Sequence, residues 1–282
     1  MMPAQYVSMA DVRRRFSDAD AAGKWNAMYE TDTERLDESN FRLRRDIAVA
    51  YVQSIVTPES RVMDLGCGTG PVMSELRRHG VNVIGIDDSA DMLEHARSRM
   101  RSQALDESDL FQGDCRKTPY PSECFDVVVC LGVISYIENY DPVLDEIHRL
   151  LKPGGTALIS FRNVFNPTLS DPLALAKAAL RTMLSPLFGP RVGEGFEIGR
   201  FLDHRVVTSK LDARGFRYVD FFGIGFGPFR FAGRNIFSER QSIRISRWLA
   251  RACDSLSICR PLRWLTDVSL WVYQKPLLGR NK

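Results

Sequence analysis

The chain has 282 residues, 44% of them hydrophobic and 26% charged, with a net charge of +3. This is the composition of a globular protein of one elaborated domain or two small ones, long enough to bury a core without staples. The mild charge argues against obligate nucleic-acid binding, and six cysteines without a single CxxC pair argue against a zinc site.

The first residues, "MMPAQYVSMADVRRRFSDAD", lack the apolar core of a signal peptide. The longest apolar run, "VVVCLGVISYI", is too short to span a bilayer. A cytosolic protein is the expectation. Residues 1–57 read as a polar helical cap. "GKWNAMYE" places Trp25, Met28 and Tyr29 at helical spacing. "NFRLRRDIAVAYVQSIV" makes a better helix, with Phe41, Ile47, Ala48, Tyr51, Val52 and Ile55 on an apolar face.

An alternating pattern fills residues 58–161. "RVMDLG" is a short buried strand and "GPVMSELRRHG" a helix closed by Gly80. "VNVIGID" is a second strand, and "SADMLEHARSRMR" a helix with Ser89 as its N-cap. "DLFQGD" and "CFDVVVCLG" are the third and fourth strands. "DPVLDEIHRLLKPGG" is a helix ending in a proline-glycine turn, and "TALISF" a fifth strand. Strand and helix alternating at this spacing predict an α/β fold: a Rossmann-like, seven-stranded, mostly parallel sheet with helices on both faces.

The rhythm then breaks. Residues 162–203 read as an insertion and 204–223 as a further core helix and strand. Residues 224–266 read as a second insertion and 267–282 as the last core strand and a tail. Within the second insertion, "FFGIGFGPFRFAGRNIF" is rich in phenylalanine and glycine, the makings of an apolar pocket wall or of a buried cap. "ERQSIRISRWLARACDSLSIC", residues 239–259, is a basic amphipathic helix. Ile245, Trp248, Leu249, Ala252, Leu256 and Cys259 share one face, and Arg240, Arg244, Arg247 and Arg251 the other. Such a helix packs its apolar face on the core, the reading favoured here, or lies on an anionic membrane surface.

The chemistry centres on "VMDLGCGTGP". Gly66, Gly68 and Gly70 follow the first strand at alternate positions. A glycine-rich turn between strand and helix lets a ligand approach the backbone. Dinucleotide sites need G-x-G-x-x-G/A, and Pro71 stands in the third small-residue position. The tighter G-x-G-x-G implies a ligand without a diphosphate.

"DLGCGTG" resembles the first motif of class I S-adenosylmethionine (SAM)-dependent methyltransferases. "IGIDDSADMLEHA", "GDCRKTPYPSECFDVVVC", "EIHRLLKPGGTALIS" and "LDARGF" resemble the family's later motifs in the same order. The resemblance covers roughly residues 60–160 and 203–223, and an ordered set is far more specific than a lone glycine motif. It implies SAM as cofactor. Asp87, which ends the second strand, would accept the ribose hydroxyls, a role its place after the glycines also suits; Asp88 is its neighbour. Met92 would lie against the adenine, unless it merely packs the core. Asp114 would accept from the adenine amino group beside the Cys115 N–H, or serve only as a turn cap. Asp64 resembles the carboxylate near the methionyl amino end, or caps the glycine loop. Cys67 is a small occupant of that loop without chemistry of its own. Leu131 and Gly132 would meet the methionyl part through the backbone.

The implied reaction is methyl transfer to a small-molecule or lipid-linked acceptor, at oxygen or carbon. A non-catalytic SAM-binding subunit is the alternative. "LGVI" after the fourth strand lacks the tetrad of enzymes that methylate amide or base nitrogens, which disfavours protein or RNA acceptors. Tyr136 and Glu138 follow the fourth strand on the sheet edge where parallel folds keep their chemistry, and His204 lies at the end of the first insertion. Tyr136 and His204 are the candidates at the acceptor site. His79 reads as a helix C-cap and His148 as structural. The two insertions are expected to cover the transferred methyl group.

Overall fold

The computed structural model describes residues 19–30, 35–163, 200–227, 229–231, 234–255 and 262–277. Two helices come first, α1 (Ala19–Glu30) and α2 (Leu36–Ile55). Then β1 (Arg61–Leu65), α3 (Pro71–Arg78), β2 (Asn82–Asp87), α4 (Ala90–Ser102), β3 (Leu110–Gln112) and β4 (Phe125–Leu131) alternate as expected. They are followed by α5 (Asp141–Leu150), β5 (Leu151–Asn163), the two-residue β6 (Phe201–Leu202), α6 (His204–Ala213) and β7 (Arg217–Ile224). A small hairpin of β8 (Arg230–Phe231) and β9 (Arg234–Asn235), helix α7 (Glu239–Ser255) and β10 (Val268–Gln274) complete the chain.

The main sheet runs in the order β3-β2-β1-β4-β5-β10-β7, with β6 alongside the end of β5. β10 is antiparallel to both neighbours, and the other pairings are parallel. The seven expected strands of a mostly parallel sheet are therefore present, and the two-residue β6 makes an eighth. Side chains alternate faces along each strand, which divides the core into two. Met63 and Leu65 of β1 join Val143, Leu144 and Ile147 of α5 and Val207 and Leu211 of α6 on one face. Val62 of the same strand joins Ala48 and Val52 of α2, Met73 and Leu76 of α3, and Leu93 and Ala96 of α4 on the other.

Local chemistry sets the boundaries. Pro71 opens α3, where its missing N–H costs nothing. Ser89 caps α4, its side chain accepting from Met92 N–H at 3.2 Å. His79 caps the end of α3, its ring against the Glu75 carbonyl at 2.8 Å, and His148 packs edge-on to Phe216 at 5.2 Å. Both roles are structural. The proline-glycine turn differs from expectation: β5 begins at Leu151, opposite Phe125, and the register then jumps to Thr156 opposite Val127. Residues 152–155 bulge out of an otherwise continuous strand.

Most of the first insertion, residues 164–199, lies outside the described residues. Among the described residues no helix is long and apolar enough to cross a membrane. In the second insertion, Asp267 N–H donates to Gly225 O at 2.7 Å, and Asn40 of α2 lies against the same glycine. Gly225 has φ +72°, and a Cβ there would fall 2.2 Å from the buried Asn40 side chain. Gly225→Ala should lower stability by roughly 2–4 kcal/mol through left-handed strain and overpacking. Urea unfolding with an unchanged m-value measures it; an unshifted midpoint would mean that Asn40 yields freely.

Candidate active site

A cleft opens at the C-terminal edge of the sheet, where β1, β2 and β4 end. Its floor is the loop after β1. Gly66, Gly68 and Gly70 all have left-handed backbone, φ +77°, +54° and +71°. At Gly66 a Cβ would lie 2.3 Å from Val133 Cγ2, so only glycine fits. Gly66 and Cys67 N–H donate to Ile86 O at 2.8 and 3.0 Å, which ties the loop to β2. Gly68 N–H donates to Asp87 Oδ2 at 2.8 Å, and Ser89 N–H to Asp87 Oδ1 at 3.0 Å. Burial pushes the Asp87 carboxyl up against the pull of those two hydrogen bonds.

Asp64 is the more perturbed acid. It is 2% exposed, and its Oδ2 has no hydrogen-bond partner. Burial and then the nearby Asp87 charge raise its carboxyl to about 7, while the Met73 N–H and Arg44 pull the other way. Asp114 accepts both the backbone N–H and the guanidinium of Arg116, at 2.6–3.0 Å. The turn-cap reading of Asp114 is thus realised, and the residue still lines the cleft.

The structure brings Asp64, Gly66, Cys67 and Gly68 together with Asp87, Asp88 and Met92 around this cleft. Asp114, Cys115, Leu131 and Gly132 complete the far side. Gly70 stands just behind, as the N-cap of α3. Burial drives the Cys67 thiol well above its ordinary range, which leaves it no nucleophilic role. Tyr136 lines the cleft as well.

His204 is not brought there. It opens α6 and packs against Trp264 at 4.7 Å and Trp271 at 5.9 Å, with its imidazole pushed below its ordinary value by burial. It belongs to an aromatic cluster with Trp271 of β10 and Trp264 of the turn before it, so its expected place at the acceptor site is corrected. No described residue of 224–266 lines the cleft either. Phe226 is buried, its N–H donating to Ser246 Oγ at 2.9 Å, and Phe229 packs edge-on to Phe237 at 5.8 Å. These phenylalanines serve packing of the second insertion, not a pocket wall.

Among the described residues the wall comes from the N-terminal helices. Trp25 and Tyr29 of α1 and Phe41 and Arg44 of α2 line the cleft. Trp25 packs edge-on to Phe41 at 5.4 Å and to Tyr136 at 6.1 Å. Arg99 of α4 anchors this roof, reaching Asn26 at 2.6 Å and the Thr69 carbonyl at 3.1 Å. Arg44 is 6% exposed; its Nη2 donates to Tyr29 Oη at 2.9 Å, its guanidinium sits 4.9 Å from the Phe41 ring centre, and its Nε is buried without a partner. Gly132, φ +84°, makes room for it: a Cβ there would lie 2.8 Å from Arg44 Nη1. The sequence held one signal for this residue. Arg44 stands between Phe41 and Ala48 at helical spacing, a cation inside an apolar stripe. Arg162, at the end of β5, lines the cleft from the other side and pairs with Asp267 at 2.8 Å.

The comparisons agree with this geometry. A family model described as a methyltransferase domain matches residues 63–159. A ubiquinone/menaquinone biosynthesis C-methyltransferase of Coxiella burnetii is 28% identical over 213 residues, 71% of this chain and 83% of its own. A demethylmenaquinone methyltransferase of Lactobacillus johnsonii is 32% identical over 53% of this chain and 60% of its own. The chain spans between 29% and 60% of the length of the first curated relatives it matches. Among solved structures, magnesium protoporphyrin IX methyltransferase of Synechocystis shares the fold, with a TM-score of 0.61 at 15% identity over 95% of this chain and 100% of that one. Residues 63–159 thus match a methyltransferase domain, and the chain shares its fold with a solved methyltransferase.

Asp64 makes a prediction about pH. Its folded carboxyl titrates at about 7 against 3.8 in an unperturbed chain. Between those values the folded state binds more protons than the unfolded one, so stability falls as pH rises through this window. The slope is at most about 1.4 kcal/mol per pH unit. Chemical denaturation of the ligand-free protein should show this decline, and Asp64→Asn should flatten it. An unchanged slope in the variant would assign the titration elsewhere.

Proposed function

We propose that the cleft binds SAM and directs methyl transfer to a small-molecule or lipid-linked acceptor. One observation carries the reading. A buried acid whose Oδ2 has no hydrogen-bond partner, Asp64, and a buried arginine whose Nε has none, Arg44, line one glycine-floored cleft. Charged groups left incompletely bonded in a dry site are costly, and a zwitterion offsets both. The amino-acid end of SAM is such a zwitterion, its ammonium suited to Asp64 and its carboxylate to Arg44. Asp87 would accept the ribose hydroxyls while holding the loop through Gly68. Met92 would face the adenine, with Asp114 and the Cys115 N–H at its edge.

When bound, SAM supplies an electrophilic methyl group on a sulfonium. The chain's own part is position and exclusion of water. Trp25, Phe41 and Tyr136 give the acceptor side an aromatic wall, which suits a planar or apolar acceptor and tolerates a nearby cation. The Tyr136 hydroxyl would orient a polar group on the acceptor. The chain's similarity to demethylmenaquinone and ubiquinone/menaquinone biosynthesis methyltransferases supports an acceptor of this class. We place the protein in the cytosol, with contact to a membrane surface through residues 239–259 for lipid-linked acceptors.

Calorimetry should show binding of SAM and S-adenosylhomocysteine and none of NAD; comparable NAD affinity would overturn the reading. Asp87→Ala should lose about 1.5–3 kcal/mol of cofactor affinity, a charged hydrogen-bond acceptor's worth. Wild-type affinity in that variant would remove Asp87 from the site. Transfer of labelled methyl from SAM into fractionated cell metabolites tests turnover. Cofactor binding without transfer to any fraction would leave a binding protein, not an enzyme.

A further inference from the structure

Helix α7 buries the face that its sequence marks as apolar only in part: Ile245, Leu249 and Ala252 are half-buried and Trp248 is exposed. Ser242, Ile243, Ser246 and Cys253 are the buried residues, and they lie on the side opposite Trp248. The helix is rolled about one residue, roughly 100°, from the orientation its apolar residues would choose. Specific polar contacts hold it there. Ser246 Oγ accepts the Phe226 N–H at 2.9 Å, and Glu239 Oε2 accepts the Leu36 N–H of α2 at 3.0 Å.

The consequence is an exposed aromatic among cations. Trp248 is 66% exposed, and beside it Ile236 and Phe237, on the approach to α7, are 57% and 37% exposed. Arg244 and Arg251, at i−4 and i+3 from Trp248, are exposed on the same side, with Arg247 next to them. Phe237, Ile245 and Trp248 form a shallow groove with Arg244 at its rim. Folding of the monomer gains nothing from leaving these apolar groups in water. A tryptophan ring in a basic surrounding suits the headgroup layer of a membrane, where the ring is half solvated and arginines meet phosphates.

We infer that this face docks on an anionic lipid surface, Trp248, Ile236 and Phe237 entering the headgroup layer and Arg244, Arg247 and Arg251 on lipid phosphates. The charge of the face selects this occupant over a second copy, whose identical arginines would repel. The placement suits the function. α7 follows β7, whose end lies on the sheet edge that carries the glycine loop, and it holds the first residue of α2. Further along α2, Phe41 and Arg44 line the cleft. The inference deepens the proposed function by giving a lipid-linked acceptor its source in the membrane; the docking itself is testable without turnover.

The test is sedimentation of the full chain with vesicles of phosphatidylcholine alone or mixed with phosphatidylglycerol. Binding is expected to the mixed vesicles only, and to weaken with salt. Each arginine near an anionic leaflet is worth about fivefold in partitioning, so Arg244→Glu with Arg247→Glu should lose well over tenfold. Trp248→Ala should lose about tenfold. Calorimetry with S-adenosylhomocysteine checks that both variants stay folded. The inference is overturned by no binding at low salt, by equal binding to neutral vesicles, by binding that the variants leave intact, or by a dimer in solution that Trp248→Ala dissociates. Vesicle binding without cofactor binding would instead count against the catalytic reading.

Discussion

The Asp87 carboxylate accepts hydrogen bonds from Gly68 in the loop after β1 and from Ser89 at the head of α4. That shared acceptor fixes the distance between the two βα turns and keeps the glycine backbone in its left-handed course. Ile86 reinforces it, its carbonyl taking the Gly66 and Cys67 N–H groups. Everything else in the cleft is hung on this frame. Asp64 is buried because the loop folds over the end of β1, and Val133 reaches the loop because Gly66 has no side chain. A residue that holds the loop and also lines the cleft cannot be altered for one purpose alone.

The second element is electrostatic. Asp64 and Arg44 are each buried, each incompletely bonded, and reach the site from opposite directions, one from β1 and one from α2. Such groups destabilise the empty fold, and the cost is recovered only on binding a ligand of matching charge. The same arrangement makes the N-terminal helices part of the site. Trp25 and Tyr29 close the cleft through aromatic contacts and a hydrogen bond with Arg44, while Arg99 fixes α1 to the glycine loop. The fold thus supplies the glycine-floored half of the cleft, and the N-terminal helices supply its aromatic half.

The sheet and the cofactor side of the cleft were legible because each depends on a local rule. Strand and helix periods name the elements, and the G-x-G-x-G turn with Asp87 after it names the loop and its acceptor. What escaped depends on long-range packing. Arg44 hides among apolar neighbours of α2, and nothing local says that Gly132 leaves room for it. His204 was placed by its position in the chain, but Trp271 of β10 and Trp264 of the turn before it offer a surface to pack against. The phenylalanines near 226 suggested a pocket wall, yet Gly225 and Gly227 let their backbone press against α2 and bury Phe226. A helical wheel counts apolar residues and not partners, so it could not foresee that Ser246 and Glu239 would set the roll of α7.

The most direct test of the central claim is a crystal structure of the chain with S-adenosylhomocysteine. The account predicts the ligand's ammonium on Asp64, its carboxylate on Arg44, its ribose on Asp87, and its sulfur facing the wall of Trp25 and Tyr136. A homocysteine end turned away from Asp64 and Arg44, or a sulfur shut off from that wall, would contradict it.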